Sequence, residues 1–367
     1  MLELAIDKNF ADRFYLAYQG KDEYVDDFIH YFLKHLQRCK LLTNYCNLDE
    51  LQDAARENPL VELLIERIPE VEFKADFEEW IDSPAYVGIG SPIKLVLSGQ
   101  RAETCSNRRK RQGLEHLCPE NLHERWKVYY SRRTDINKKT TADPELPSEF
   151  RFDSWAQLQS FVHPLNAVII VDFYLLKWDM EKNFTDSLHN NIIPMLENLL
   201  AEASTDIPVN ITFVSEFSDR PPAKQAERVK KTRELINAAI GKITTKAFSL
   251  NLIVHNKSEY PKNFQEFHDR IIITNYFYIN CGAGFNIGSR KPGLGVFDKP
   301  GKISRIRHNS EIQFRSILNI QNYWTAFKDL KQLDIYCKKL ENHPGLPDYL
   351  NFSPDKTNRL MGIEHWE

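Results

Sequence analysis

The chain has 367 residues, enough for two domains of ordinary size, and its 42% hydrophobic and 12% aromatic content can fill sizeable cores. A formal net charge of -3 and a pI near 6.4 argue against a globally basic nucleic-acid binder while leaving local basic patches open. No run approaches eighteen consecutive apolar residues, and Met1 to Asp7 carries no basic stretch ahead of its short apolar segment. The expectation is a soluble, cytoplasmic protein without signal peptide or membrane contact.

Leu2 to Ile6 reads as a short strand, and Val25, Phe28, Ile29, Phe32, Leu33 and Leu36 recur at helical spacing behind it. Asp7, at the strand end, has two readings: a metal ligand of a PIN-type nuclease, or a cap or surface aspartate. No companion acids stand at further strand ends, so the second is preferred and no metal is assigned. From Asp49 to Asp82 the chain is acidic, and Leu60, Leu63, Leu64 and Ile68 predict a helix whose carboxylates line a solvated face, dock a partner, or mask basic surface elsewhere.

Residues 101–139 swing to positive charge. Arg108, Arg109, Lys110 and Arg111 are candidate phosphate contacts, with Trp126, Tyr129 and Tyr130 interleaved for base stacking; a solvated loop is the competing reading. Cys105, His116, Cys118 and His123 are ligand types that zinc takes, but no C-x2-C pair anchors them. All six cysteines (Cys39, Cys46, Cys105, Cys118, Cys281 and Cys337) are scattered, which suits free thiols in a reducing compartment. Arg111-x4-His116 has the spacing of the HEPN ribonuclease motif, which requires both residues on one helix in a dimer cleft.

The polar, proline-punctuated stretch 134–150 is taken as the domain boundary. Beyond it, Ala167 to Tyr174 predicts a buried strand ending in Asp172, residues 183–202 an amphipathic helix, Val209 to Val214 a strand, Ala223 to Ile240 a helix, and Phe248 to His255 a strand. Two more adjacent strands are expected within Phe267 to Asn275 and Tyr276 to Asn286, the second ending on a Gly-rich tip, and then a long helix from about Glu311 to Leu340. This order suits an α/β domain with helices against a mixed sheet.

The sharpest local pattern is His268-x-Arg270-x4-Asn275-x6-Gly282-Ala283-Gly284-Phe285-Asn286. A His and an Arg two apart on a strand share one face. The frame resembles the phospholipase D superfamily signature H-x-K-x4-D followed by a Gly-Ser-x-Asn turn. It departs from that signature in Arg for Lys, Asn for Asp, Ala for Ser and an Asn one residue late. The H-D-R version also resembles the degenerate phospholipase D-like domain found behind microtubule-interacting domains, which binds rather than cuts.

The resemblance covers roughly residues 151–340 and implies a fold class: α/β, with a C-terminal phospholipase D-like mixed sheet flanked by helices and a separate, mainly helical α+β N-terminal domain. The units are residues 1–150, 151–345 and a tail at 346–367. It implies a metal-independent, cofactor-free nuclease, associated in the family with bacterial antiphage defence. His268 would be nucleophile or general acid, Arg270 the phosphate clamp, and Asn275 and Asn286 orienting groups, with a homodimer supplying the second motif copy. Arg290, Lys291, Lys302, Arg305 and Arg307 follow the motif in a Gly-rich stretch suited to phosphodiester binding. The alternative is an inactive phospholipase D-like adaptor that binds nucleic acid or proteins in a larger assembly, or a plain structural motif in which Arg270 pairs with Asp172.

Overall fold

The computed structural model describes residues 2–19, 39–88, 90–129, 135–140, 152, 154–161, 163–172, 188–217, 222–256, 270–282, 285, 310–341 and 358–361. The expected helix around Val25 to Leu36 lies outside the described residues.

In chain order the strands and α-helices are β1 (Leu2–Ile6), α1 (Lys8–Gln19), β2 (Cys39–Thr43), α2 (Leu48–Glu57), α3 (Pro59–Arg67), β3 (Glu70–Phe73), α4 (Phe77–Asp82), α5 (Pro84–Gly88), β4 (Lys94–Leu97), α6 (Ala102–Gln112), β5 (Glu115–Leu117), α7 (Leu122–Tyr129), β6 (Asp135–Thr140), β7 (Ala167–Val171), α8 (Ile193–Leu199), β8 (Val209–Phe217), α9 (Pro222–Ile243), β9 (Phe248–Asn256), β10 (Arg270–Thr274), β11 (Phe277–Cys281), β12 (Ser310–Ser316) and α10 (Ile320–Glu341).

The first sheet has the order β3-β2-β1-β4-β5 with every pair parallel, and helices fill the crossovers. This corrects the expected α+β arrangement: the N-terminal half is α/β. The expected strand Leu2–Ile6 is present as β1, whereas the other strands escape a hydrophobicity pattern because they are short and four of the five carry charges that pair across the sheet. Glu70, Lys40, Glu3 and Lys94 fall in one register row over four strands, with Lys40 Nζ 3.0 Å from Glu70 and Lys94 Nζ 2.8 Å from Glu3. Lys94 is buried and also lies 4.3 Å from the centroid of the Tyr86 ring, so its charge is met by a carboxylate and an aromatic face.

The second sheet is mixed, in the order β6-β12-β11-β10-β7-β8-β9. Strands β7, β8 and β9 are parallel, whereas β10, β11, β12 and β6 each pair antiparallel with their neighbour. The β-α-β-α-β-β-β order expected from the sequence is present, with two differences. The last helix starts at Ile320 and Glu311 belongs to β12, because the Asn319 side chain accepts from Gln321 N and caps the helix there. The segment expected as one helix to residue 202 is a π-turn (Leu188–Ile192), the short α8 with Pro194 in its first turn, and a 3-10 turn (Leu200–Glu202). Strand β6 shows that the chain enters the second sheet at Asp135, ahead of residue 150.

The two sheets share one continuous apolar core. Polar bonds lock the junction: Tyr276 Oη donates to Lys94 O at 2.5 Å and accepts from Glu115 N at 2.6 Å, while Asn166 Nδ2 donates to Gln112 O at 3.1 Å. Gly113 caps α6 at φ 65°, and a Cβ there would collide with the Leu165 carbonyl of the second lobe. Among the described residues no helix is long and apolar enough to cross a membrane.

Candidate functional site

The described part of the motif folds as a hairpin. Strands β10 and β11 pair Arg270 with Cys281, and Arg270 Nη1 donates to Gly282 O at 2.6 Å. On its other flank β10 pairs with β7, Ile271 opposite Val171, and β7 pairs with β8, Val171 level with Val214. One step on, Asp172 stands level with Arg270 and with Ser215. Residues level across a sheet point to one face, so Ser215, Asp172, Arg270 and Cys281 form a row about 14 Å long at the carboxyl ends of the parallel strands.

Within the row the environments differ. Asp172 is buried, its backbone N–H bonds Val214 O at 3.0 Å, and its Oδ2 accepts from Phe285 N at 2.8 Å, which ties the Gly-rich tip to the end of β7. Ser215 is buried, and its hydroxyl has no hydrogen-bond partner among the described residues. Arg270 is half-buried at the start of its strand. A guanidinium, a hydroxyl and a carboxylate along one sheet end can hold a phosphoryl group and manage a proton.

Asn275 lies elsewhere. It occupies the β10–β11 turn, about 16 Å of strand away from Arg270. Its side chain is fully buried: Oδ1 accepts from Asn166 N (3.0 Å) and Ala167 N (3.2 Å), and Nδ2 donates to Pro92 O (2.9 Å) and Asn166 Oδ1 (3.2 Å). The carboxamide holds the junction and does not share a site with Arg270. His268, Asn286, Arg290, Lys291, Lys302, Arg305 and Arg307 lie outside the described residues.

The basic run of α6 is committed mostly to carboxylates. Arg108 bonds Glu78 at 2.6 Å and lies 3.3 Å from Asp82, while Arg111 reaches Asp206 at 2.8 Å and Asp82 at 3.2 Å. Part of the acidic stretch thus masks basic surface. Arg109 is almost buried between Glu115 and Glu202, and among the described residues Lys110 alone of the four is exposed without an ion pair.

Arg111 ends a helix while His116 is buried in β5 with Nε2 2.8 Å from Gln112 Oε1, so the helix-borne Arg-x4-His arrangement is absent. Burial, with Arg108 and Arg109 nearby, pulls the pKa of His116 down to about 3.

Cys105 and Cys118 hydrogen-bond each other, and the hydrogen bond from Cys105, with the backbone N–H groups of Asn121 and Glu120, pulls the Cys118 thiol down. His123 has no described side chain, and no group of three or more His, Cys, Asp or Glu among the described residues is placed to hold a metal.

Asp7 sits where the strand order of the first sheet reverses, between β1 and β4, but its carboxylate is satisfied by three donors: Asn9 N (3.0 Å), Asn44 Nδ2 (2.9 Å) and Gly99 N (3.0 Å). It is a corner stitch between three strand ends, as the cap reading has it. Sequence reasoning missed Ser215, because β8 runs three residues past the expected Val214; the alternation Ile211, Phe213, Ser215 was the available signal. No protein-family model matches the chain, and no curated protein matches it.

Proposed function

We propose that the end of the mixed sheet around Arg270 binds the phosphodiester of a nucleic acid, in the manner of a phospholipase D-like nuclease. The observation that carries the reading is the 2.6 Å bond from Arg270 to Gly282 O, which ties the motif's arginine to the first glycine of its turn beside Asp172 and Ser215. Arginine suits this place because it stays charged and meets two phosphate oxygens at once.

In the catalytic form of the proposal His268 attacks phosphorus, the P–O bond to the leaving strand breaks, and the partner subunit's His268 protonates the departing oxygen. Water then hydrolyses the phosphohistidine. A twofold homodimer supplies the two histidines that the single motif lacks. Nucleic acid is preferred to phospholipid on the basic residues Arg290, Lys291, Lys302, Arg305 and Arg307 that follow the motif in sequence.

One observation favours the second reading, a phosphate-reading adaptor. The Asn275 carboxamide is spent inside the junction, which leaves Asp172 as the described carboxylate beside Arg270, and that group already holds Phe285 N. The test is cleavage of labelled single- and double-stranded DNA and RNA in EDTA by wild type and His268→Ala, with the mass in solution recorded in parallel. Cutting by a dimer that is lost in the variant supports the nuclease. Salt-sensitive binding without cutting by either protein supports the adaptor.

A further inference from the structure

Cys105 and Cys118 meet from separate elements, Cys105 from the N-terminal half of α6 and Cys118 from the corner between β5 and α7. Both are fully buried and reduced, and the Cys105 thiol donates a hydrogen bond to the Cys118 sulfur. Two sulfurs in such contact reach the about 2.05 Å of a disulfide by side-chain rotation and a small shift of one element. The corner itself comes to the surface: Pro119 and Asn121 are half-buried, and Glu120 is exposed, with its carboxylate accepting from Ala102 N (2.9 Å) and Arg13 Nη2 (3.2 Å). An oxidant of about the size of water has a short way to the buried sulfurs.

The hydrogen bonds around the pair run one way. The Ser98 hydroxyl, just past β4, bonds the Cys105 sulfur, and Cys105 in turn bonds Cys118. The Cys118 sulfur also accepts from the backbone N–H groups of Asn121 and Glu120 at the start of α7. The corner is held in shape by Cys118 N, which donates to Asn121 Oδ1 at 2.8 Å, and by Cys118 O, which accepts from Asn121 N (3.1 Å) and Leu122 N (2.9 Å). Donors converging on one sulfur favour its thiolate. The bond from Cys105, with the two N–H groups, pulls the Cys118 thiol down to about 7, whereas the bond to Cys118, with burial, pushes the Cys105 thiol up. Cys39 is the contrast: it is as deeply buried in β2, and burial pushes its thiol up.

We propose that Cys105 and Cys118 form a reversible dithiol–disulfide site that takes a small peroxide as its oxidant. The Cys118 thiolate attacks one peroxide oxygen, the O–O bond breaks, and the leaving hydroxide takes a proton and departs as water. Cys118 is then a sulfenic acid. The Cys105 sulfur attacks it, the S–O bond breaks, and a second water leaves with the Cys105 proton. Two thiols are oxidised to one disulfide while one peroxide is reduced to two waters. Two equivalents of a small thiol reverse the step by exchange and leave as their own disulfide. The bond staples the N-terminal half of α6 to the β5–α7 corner, and the same helix ends at Gly113 against the Leu165 carbonyl of the second lobe. The site is separate from the Arg270 row and does not depend on that row being a nuclease.

The probe is hydrogen peroxide, added to the reduced full chain; free thiols are blocked at intervals with N-ethylmaleimide and the peptides mapped by mass without reduction. The expected result is a Cys105–Cys118 cross-link that forms at least about tenfold faster than Cys39 is oxidised and is reversed by dithiothreitol. Cys105→Ser should accumulate a dimedone-trappable sulfenic acid at Cys118, and Cys118→Ser should leave Cys105 reduced. If either variant does not fold, the wild-type map decides alone. Oxidation of the pair no faster than that of Cys39 overturns the proposal. So does oxidation of the two sulfurs to separate sulfinic or sulfonic acids without the cross-link, or a sulfenic acid trapped on Cys105 in Cys118→Ser.

Discussion

Arg270 and Asn275 lie at the two ends of β10, and the strand between them separates two duties. At one end the guanidinium bonds Gly282 O across the hairpin; at the other the carboxamide is buried among Asn166, Ala167 and Pro92 of the junction. The five-residue strand thus links a candidate phosphate site to the seam between the sheets.

Restoring the carboxylate of the phospholipase D signature at this position is expected to harm the protein. Asn275→Asp keeps the acceptor for Asn166 N and Ala167 N but turns the donor to Pro92 O into an oxygen facing an oxygen. A loss of about 2–4 kcal/mol in denaturant unfolding is expected, from a buried unsatisfied and charged group. Unchanged stability would mean that the amide bonds contribute little.

Gly113→Ala is expected to cost about 3 kcal/mol or more, because it combines a left-handed backbone with a collision against the Leu165 carbonyl. The check is thermal unfolding together with limited proteolysis, in which the variant should open at the junction first.

Acid should weaken the fold through two buried histidines. His116 (about 3) and His163 (well below its ordinary value) are held neutral mainly by burial. The unfolded chain takes up protons below about pH 6.5 while these folded sites do not, so stability falls as pH drops through that point, by about 1.4 kcal/mol per pH unit for each group. Denaturant midpoints at pH 7.5, 6.0 and 5.0 measure the slope, and His163→Phe should make it shallower.

Asp172 is expected to act as a positioning residue for the tip. Asp172→Ala removes the acceptor of Phe285 N and should lower oligonucleotide affinity by about tenfold, equivalent to about 1.4 kcal/mol, whereas Asp172→Asn retains an acceptor and should lose less. Equal behaviour of the two variants would argue that the negative charge, and not the tie, is what matters.

The second sheet was largely legible because its strands are β-branched apolar runs, such as Ala167–Val171 and Arg270–Thr274, bounded by polar turns. Of the first sheet only β1 was, since the other strands are three to five residues long, with Lys40 inside one and Glu70, Lys94 and Glu115 opening three more, too short and too charged to mark a strand. The charge run of α6 misled in a similar way. Nothing in local sequence tells that Glu78, Asp82 and Asp206 come to Arg108 and Arg111 from distant elements. The motif pattern located Arg270 and the Gly-rich tip together, but only the hairpin register separates Asn275 from them.

The central claim is that Arg270 reads phosphate. It is tested most directly by binding of a labelled single-stranded oligonucleotide to wild type and Arg270→Ala across a salt series. The variant should bind at least about tenfold more weakly, with the slope of log K against log salt shallower by nearly one. An Arg270→Ala protein with wild-type affinity and wild-type slope would contradict it.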